Sequence, residues 1–205
     1  MHKYRLIFSK TGRAVWISHL DTMHTIQRAF TRAGIKLAHS EGFNPHPLMS
    51  IALPLSVGME SICEILDVKT EDLVDKDQLN VVLPEGIKIL SVYQPEIKAS
   101  EIKWLEIEGQ YKSKEDKRLN SIFERDSLVI NKKTKSGFAD VDIKSMIHSI
   151  SFHDGIMLAI ISAQNPTLNP NNILLAINKY EPEILLDEIK FRRICLYKEN
   201  MEEFV

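Results

Sequence analysis

At 205 residues, with 44% apolar and 26% charged residues, the chain has the balance of a globular protein able to bury a real core. A formal charge of −2 argues against a strongly basic nucleic-acid binder, and two cysteines are too few for a disulfide framework or a paired-cysteine metal motif. No apolar run approaches the roughly 20 residues needed to cross a bilayer, and the start Met-His-Lys-Tyr-Arg lacks the apolar core of a signal peptide, so a cytoplasmic location without membrane contact is expected.

Residues 2–8 alternate as a first strand, with Tyr4, Leu6 and Phe8 on one face, and residues 9–13 break it. Ser18 is a good N-cap, Asp21 completes a variant capping box, and Leu20, Met23, Ile26 or Gln27, Phe30 and Ala33 follow helical spacing until Gly34 ends the helix. On the opposite face His24, Arg28 and Arg32 stand four apart, which stacks them into one ridge of donors. A short strand over 35–39 leads into Ser40-Glu41-Gly42-Phe43-Asn44-Pro45-His46-Pro47. Gly42 reaches backbone angles closed to other residues, while Pro45 and Pro47 fix their own φ and push Asn44 and His46 towards extended geometry. The expectation is a stiff, exposed loop that presents Phe43, Asn44 and His46 at low entropic cost.

Residues 48–55 read as extended, 61–68 as a strand buried on both sides at its centre, 72–83 as a helix anchored by Leu73, Leu79, Val82 and Leu83, and 87–92 as another strand. The order strand, helix, strand, strand, helix, strand predicts the ferredoxin-like split βαβ arrangement in a first domain over 1–94. Residues 94–100 read as a linker. Beyond it the pattern recurs, with strands at 102–111 and 127–132 around a helix at 114–123, and Asp140 to Ile143 leading into a strand over 146–152. A turn at His153-Asp154-Gly155, a strand over 156–162, a helix over 171–180 capped by Asn169-Pro170, and a strand over 191–197 follow. The predicted class is α+β, two ferredoxin-like halves with antiparallel sheets, the second (101–205) carrying an added hairpin.

Charge is uneven along the chain. Residues 1–60 hold seven Lys or Arg against three Asp or Glu, which leaves 19 against 25 for the other 145 residues. Five of the seven histidines also precede residue 47, so the N-terminal half should carry the face for an anionic or polar partner. Trp16 and Trp104 read as core or half-buried anchors, His148 and His153 as sheet-edge or turn residues, and Asp140 and Asp142 as a solvated edge. Cys63 and Cys195 read as small apolar residues within strands.

Several runs together carry a resemblance. Phe8-Ser9-Lys10-Thr11-Gly12, Trp16-Ile17-Ser18-His19-Leu20-Asp21, Gln27-Arg28-Ala29, Arg32-Ala33-Gly34, residues 40–47, Ala52-Leu53-Pro54-Leu55 to Gly58, Leu83-Pro84-Glu85-Gly86, Asp140-Val141-Asp142 and Asn169-Pro170 are similar to the radical SAM-linked (radical SAM-associated) family of uncharacterised bacterial proteins, over nearly the whole length. The resemblance implies a partner of a radical SAM enzyme that carries an iron–sulfur cluster, SAM and, in its cobalamin-binding form, cobalamin. This chain is not expected to be that enzyme, because the cluster needs three closely spaced thiolates and the two cysteines lie 132 positions apart.

Three functions compete at this stage. The first is an accessory or substrate-presenting protein for RNA, a ribosomal component or the partner enzyme, with no cofactor and no catalysis of its own. Its binding set would be Arg28, Arg32, Ser40, Gly42, Phe43, Asn44, Pro45, His46 and Pro47, with Phe43 stacking, Asn44 reading an edge and the arginines meeting phosphates. The second, by analogy with repeat-associated RNA endonucleases, is metal-independent RNA cleavage with His19, His24 or His46 as general acid or base. The third is a metal site of His19, His39 and His46 with Asp21 or Glu41.

Overall fold

The computed structural model describes residues 1–134, 137–184, 186 and 189–204. The chain divides into two compact units, Met1–Glu101 and Ile102–Val205. It is a mixed α+β protein built on antiparallel sheet with four α-helices among the described residues.

In the first unit β1 (His2–Lys10) pairs antiparallel with β3 (Glu60–Thr70) on one side and β4 (Ile87–Tyr93) on the other, and β2 (Met49–Ile51) pairs with β3. The strand order is β4-β1-β3-β2. The two-residue period brings Tyr4, Leu6 and Phe8 into one core with Ile26, Phe30, Leu66, Val68, Leu79, Ile87 and Ile89. That core is roofed by α1 (His19–Arg32) and α2 (Lys76–Val82). Ser18 caps α1 as its sequence predicts: its Oγ accepts from the Asp21 N–H at 3.1 Å and donates to the Asp21 carboxylate at 2.7 Å.

Four local expectations change. Leu20 is exposed, because the buried stripe of α1 runs through Thr22, Ile26, Ala29 and Phe30, and Leu20 lies about 200° around the helix from Thr22. Leu73 is exposed and α2 begins only at Lys76, where Asp75 caps it by accepting from the Asp77 N–H at 2.9 Å. Strand β1 runs on to Lys10, and a 3-10 turn over Gly12–Trp16 follows. Trp16 is 70% exposed rather than a core anchor: one face of its ring covers Gly58, where an added Cβ would sit 3.5 Å from it, and the rest meets solvent.

In the second unit β5 (Trp104–Gln110), α3 (Asp116–Phe123), β8 (Ile147–His153), β9 (Ile156–Ser162), α4 (Asn171–Tyr180) and β10 (Lys190–Tyr197) repeat the plan. The strand order β10-β5-β9-β8 is again fourth, first, third, second. Between α3 and β8 a separate hairpin of β6 (Val129–Thr134) and β7 (Gly137–Asp142) is inserted. The turn from β8 to β9 places Asp154 and Gly155 at φ 49° and 79°, the left-handed pair that matches a two-residue hairpin to strand twist.

Candidate functional site

The loop after residue 39 is closed at its neck. His39 bridges Pro47, the Ser40 N–H donates to the His46 carbonyl at 2.9 Å, and the His46 N–H donates to Ser40 Oγ at 3.1 Å. The same hydroxyl lies 2.8 Å from His46 Nδ1, so one serine is engaged twice by one histidine. Below the neck the Leu48 N–H donates to the Ala38 carbonyl at 2.8 Å, which joins the loop base to buried chain. Above it Glu41, Gly42, Phe43, Asn44 and Pro45 are all exposed, with Gly42 at φ 118° and the Phe43 ring wholly in solvent. Ser40 and His46 therefore latch the loop, and Phe43, Asn44 and Pro45 form what it presents.

On α1, His24 and Arg28 are exposed and Arg32 is tied down: its guanidinium donates to the Val82 carbonyl at 2.8 Å, at the C-terminal end of α2 where orphan carbonyls favour a cation. His39 donates from Nδ1–H to the Leu37 carbonyl at 3.0 Å, since a carbonyl can only accept. The structure does not gather His19, His39 and His46. Among the described residues the three metal-competent groups that come together are Asp116, His153 and Asp154.

The sheet face opposite the helices of the first unit carries groups that sequence periodicity passes over. Arg5 alternates out of the Tyr4, Leu6, Phe8 row, yet it is fully buried, and its guanidinium donates to both oxygens of Asp67 at 2.7 and 2.9 Å. Burial works against the Arg5 charge; the hydrogen bonds and charge of Asp67 outweigh it, so the guanidinium pKa is raised. Burial likewise pushes the facing Tyr93 hydroxyl up, against the pull of Arg5. Lys10 is also buried and donates to the Ile17 carbonyl at 2.7 Å, and desolvation lowers its pKa. The one signal for Arg5 in the sequence was its place at the centre of the strand read over 2–8.

Next to that pair, Lys3, Ser50, Asp67 and Lys69 line a groove of about 360 Å³ whose other walls are His46, Pro47, Leu48, Met49 and Val68. A second concavity of about 510 Å³ lies on the other side of the loop neck, lined by Gln27, Thr31, Ile35, Leu37, His39 and Pro47 among others. Pro47 of the loop neck thus lines both hollows, the first with Lys3 and Lys69 and the second with Lys36 and Glu71.

The second unit uses its carboxylates internally. Asp116 accepts from the Tyr111 hydroxyl at 2.5 Å and from the Asp154 N–H at 2.9 Å. The Tyr111 hydrogen bond first and the Asp154 N–H second hold its carboxyl below the ordinary aspartate value. Asp142 accepts from the Lys144 and Leu128 N–H groups at 2.9 Å each and from Ser127 Oγ at 2.8 Å, which likewise lowers its pKa. Asp140 accepts from the Asn131 amide at 2.8 Å, and Arg118 is hydrogen-bonded to Glu181. Trp104 is half-buried against His148, with ring centroids 5.3 Å apart. Cys63 and Cys195 are half-buried thiols on strands, and burial pushes the Cys195 thiol up.

The family whose description reads "Uncharacterized protein conserved in bacteria (DUF2344)" matches residues 3–170. No curated protein matches the sequence. Among solved structures the chain is similar to an unknown protein from Galdieria sulphuraria, at 12% identity over 100% of this chain and 99% of that one, with a TM-score of 0.30. It is also similar to the acetolactate synthase small subunit from Thermotoga maritima, at 10% identity over 97% and 98%, with a TM-score of 0.24. At those TM-scores neither likeness bears on function.

Proposed function

This chain belongs to that family of bacterial proteins, whose match spans most of its length, and from this premise we propose that it is a binding partner rather than a catalyst. The reading is an accessory or substrate-presenting protein of a radical SAM enzyme, acting in the cytoplasm on RNA or a ribosomal component. The iron–sulfur cluster, SAM and any cobalamin belong to the partner. Both halves are read as ferredoxin-like, supported by the strand order fourth, first, third, second that each unit repeats.

The observation that carries the proposal is the latched loop. A serine and a histidine close its neck at 2.8–3.1 Å while an aromatic ring, an amide and a proline stand in solvent above them. A fully exposed phenylalanine gains nothing for the fold, and a fixed neck lowers the entropy lost when it meets a partner. Stacking on Phe43 with phosphate contacts from Arg28 is a mode open to single-stranded RNA. For a second reading there is less support: His46 is engaged by Ser40, and His19, His39 and His46 do not converge as a metal site would need.

The test is recovery of partners from a lysate of the source organism by the parent and by a Phe43→Ala, Asn44→Ala variant, with protein and RNA in the eluate identified. Recovery of a radical SAM enzyme or a defined RNA by the parent alone supports the reading. Equal recovery by both proteins removes the loop from it, and a recovered partner of neither kind ends it.

A further inference from the structure

Lys3 of β1 and Lys69 of β3 are directly opposed across the antiparallel ladder, two pairs beyond Arg5 and Asp67 and so the next pair on the same face. Side chains in that position stand close together on one face, and like charges there destabilise a sheet. A carboxylate nearby would relieve the repulsion, yet the one that lines the same groove, Asp67, already receives two N–H groups from buried Arg5. Among the described residues neither lysine enters an ion pair. Both lysines thus line a groove of about 360 Å³ whose one carboxylate, Asp67, is engaged by Arg5, and that groove is walled by His46 and Pro47 of the latched loop.

We propose that this groove is a phosphate-binding site, with Lys3 and Lys69 sharing the phosphate of a nucleotide and Ser50 adding a hydroxyl donor. Ammonium groups are point charges without a planar fork, so a pair of them suits a tetrahedral anion with oxygens on several sides better than a planar carboxylate. Bound phosphate would replace the repulsion between the lysines with two charge-assisted contacts. The site deepens the RNA reading and rests on it for its natural ligand: a strand whose base meets Phe43 would lay its backbone along the groove beside the neck.

The experiment is a titration of the full chain with inorganic phosphate, adenosine 5′-monophosphate and a single-stranded oligoribonucleotide, followed by backbone amide NMR and calorimetry. Lys3→Ala, Lys69→Ala and, as a control on the same unit, Lys88→Ala are run beside the parent. Expected are shifts confined to residues around Lys3, Ser50 and Lys69 and a loss of about tenfold in affinity for adenosine monophosphate in each groove variant, with Lys88→Ala unchanged. Without phosphate, Lys3→Ala should also melt slightly higher than the parent at low salt, because a like-charge contact is gone. Shifts elsewhere, or equal losses in all three variants, overturn the proposal. If the mononucleotide binds at the groove but the oligoribonucleotide binds no tighter, the groove stands and the RNA reading falls. If the oligoribonucleotide binds and ignores Lys3 and Lys69, the RNA reading stands and the groove falls.

Discussion

The two units fold on the same strand order, and they spend their charged groups differently. Both expose some apolar side chains, so apolar exposure does not separate them. In the second unit Asp116, Asp140, Asp142 and Glu181 each accept a bond that ties one element of that unit to another. In the first unit Asp67 accepts from a fully buried arginine, Glu60 and Asp72 accept from the Gly12 and Lys36 N–H groups at 3.1 and 2.8 Å, and Lys3, Lys69, His24 and Arg28 make no ion pair among the described residues. Both halves use carboxylates internally; the first sets its bidentate pair on a fully buried arginine and holds a latched aromatic in solvent, while the ion pairs of the second among the described residues reach solvent. The plan is shared, and what differs is how deeply a charged pair is buried.

The largest effect that tests this contrast is at Arg5 and Asp67. Asp67→Ala removes the carboxylate to which a buried guanidinium donates twice and should cost about 3 kcal/mol, the low end of the range for buried pairs because Asp67 reaches the surface. The double variant Arg5→Met, Asp67→Leu should recover most of that loss in urea denaturation, since well-packed apolar side chains can replace such a pair. In the second unit Arg118→Ala breaks a half-exposed pair and should shift the midpoint far less. If the two single variants cost the same, the charge contrast between the halves is not a matter of burial.

Glycines sharpen it next. At Gly86, φ is 90° and an added Cβ would sit 2.4 Å from the Thr11 carbonyl and 2.9 Å from Ala14 Cβ, so Gly86→Ala should destabilise the first unit by about 1–3 kcal/mol. At Gly42 nothing lies within 4 Å, and Gly42→Ala meets backbone strain alone. It should lower the denaturation midpoint less than Gly86→Ala does, because strain is not joined by a clash.

Acid acts on the other half. Asp116 and Asp142 have lowered pKa values when folded, so their contribution is complete above the ordinary value of 3.8 and is lost as pH falls through the depressed values. Amides of the β8–β9 turn and of the β6–β7 hairpin should therefore lose hydrogen-exchange protection below about pH 4. Asp142→Asn should flatten that dependence at the hairpin alone. Loss of protection at those amides well above that pH would detach it from these carboxylates.

Much of this was legible in the chain. Period-two and period-3.6 patterns, with Ser18, Gly34 and Asn169-Pro170 as punctuation, marked most elements, and α4 and β9 match their predicted bounds. Periodicity failed where a polar residue is buried by a partner distant in sequence. Arg5 and Asp67 are 62 positions apart, and only the β1–β3 register brings them together. The same register opposes Lys3 to Lys69, which no local window contains. The loop was visible in its prolines and glycine; the division of labour within it was not, because the Ser40–His46 latch depends on the chain closing over six residues.

The smallest stability effect divides that loop. Ser40→Ala removes the hydroxyl that accepts from the His46 N–H and meets its ring, and should cost about 1 kcal/mol. Phe43→Ala removes a ring that touches nothing the fold needs, and should stay within about 0.5 kcal/mol of the parent. Amide exchange at His46 separates the two more cleanly than the midpoint does, because its N–H has lost its acceptor in the first variant and kept it in the second. Fast exchange in Ser40→Ala with parent-like exchange in Phe43→Ala makes the neck structural and the tip free for recognition. Equal exchange in both would mean that the backbone contact from Ser40 to the His46 carbonyl holds the neck without the side chain, and that the loop is stiff for reasons the prolines alone supply.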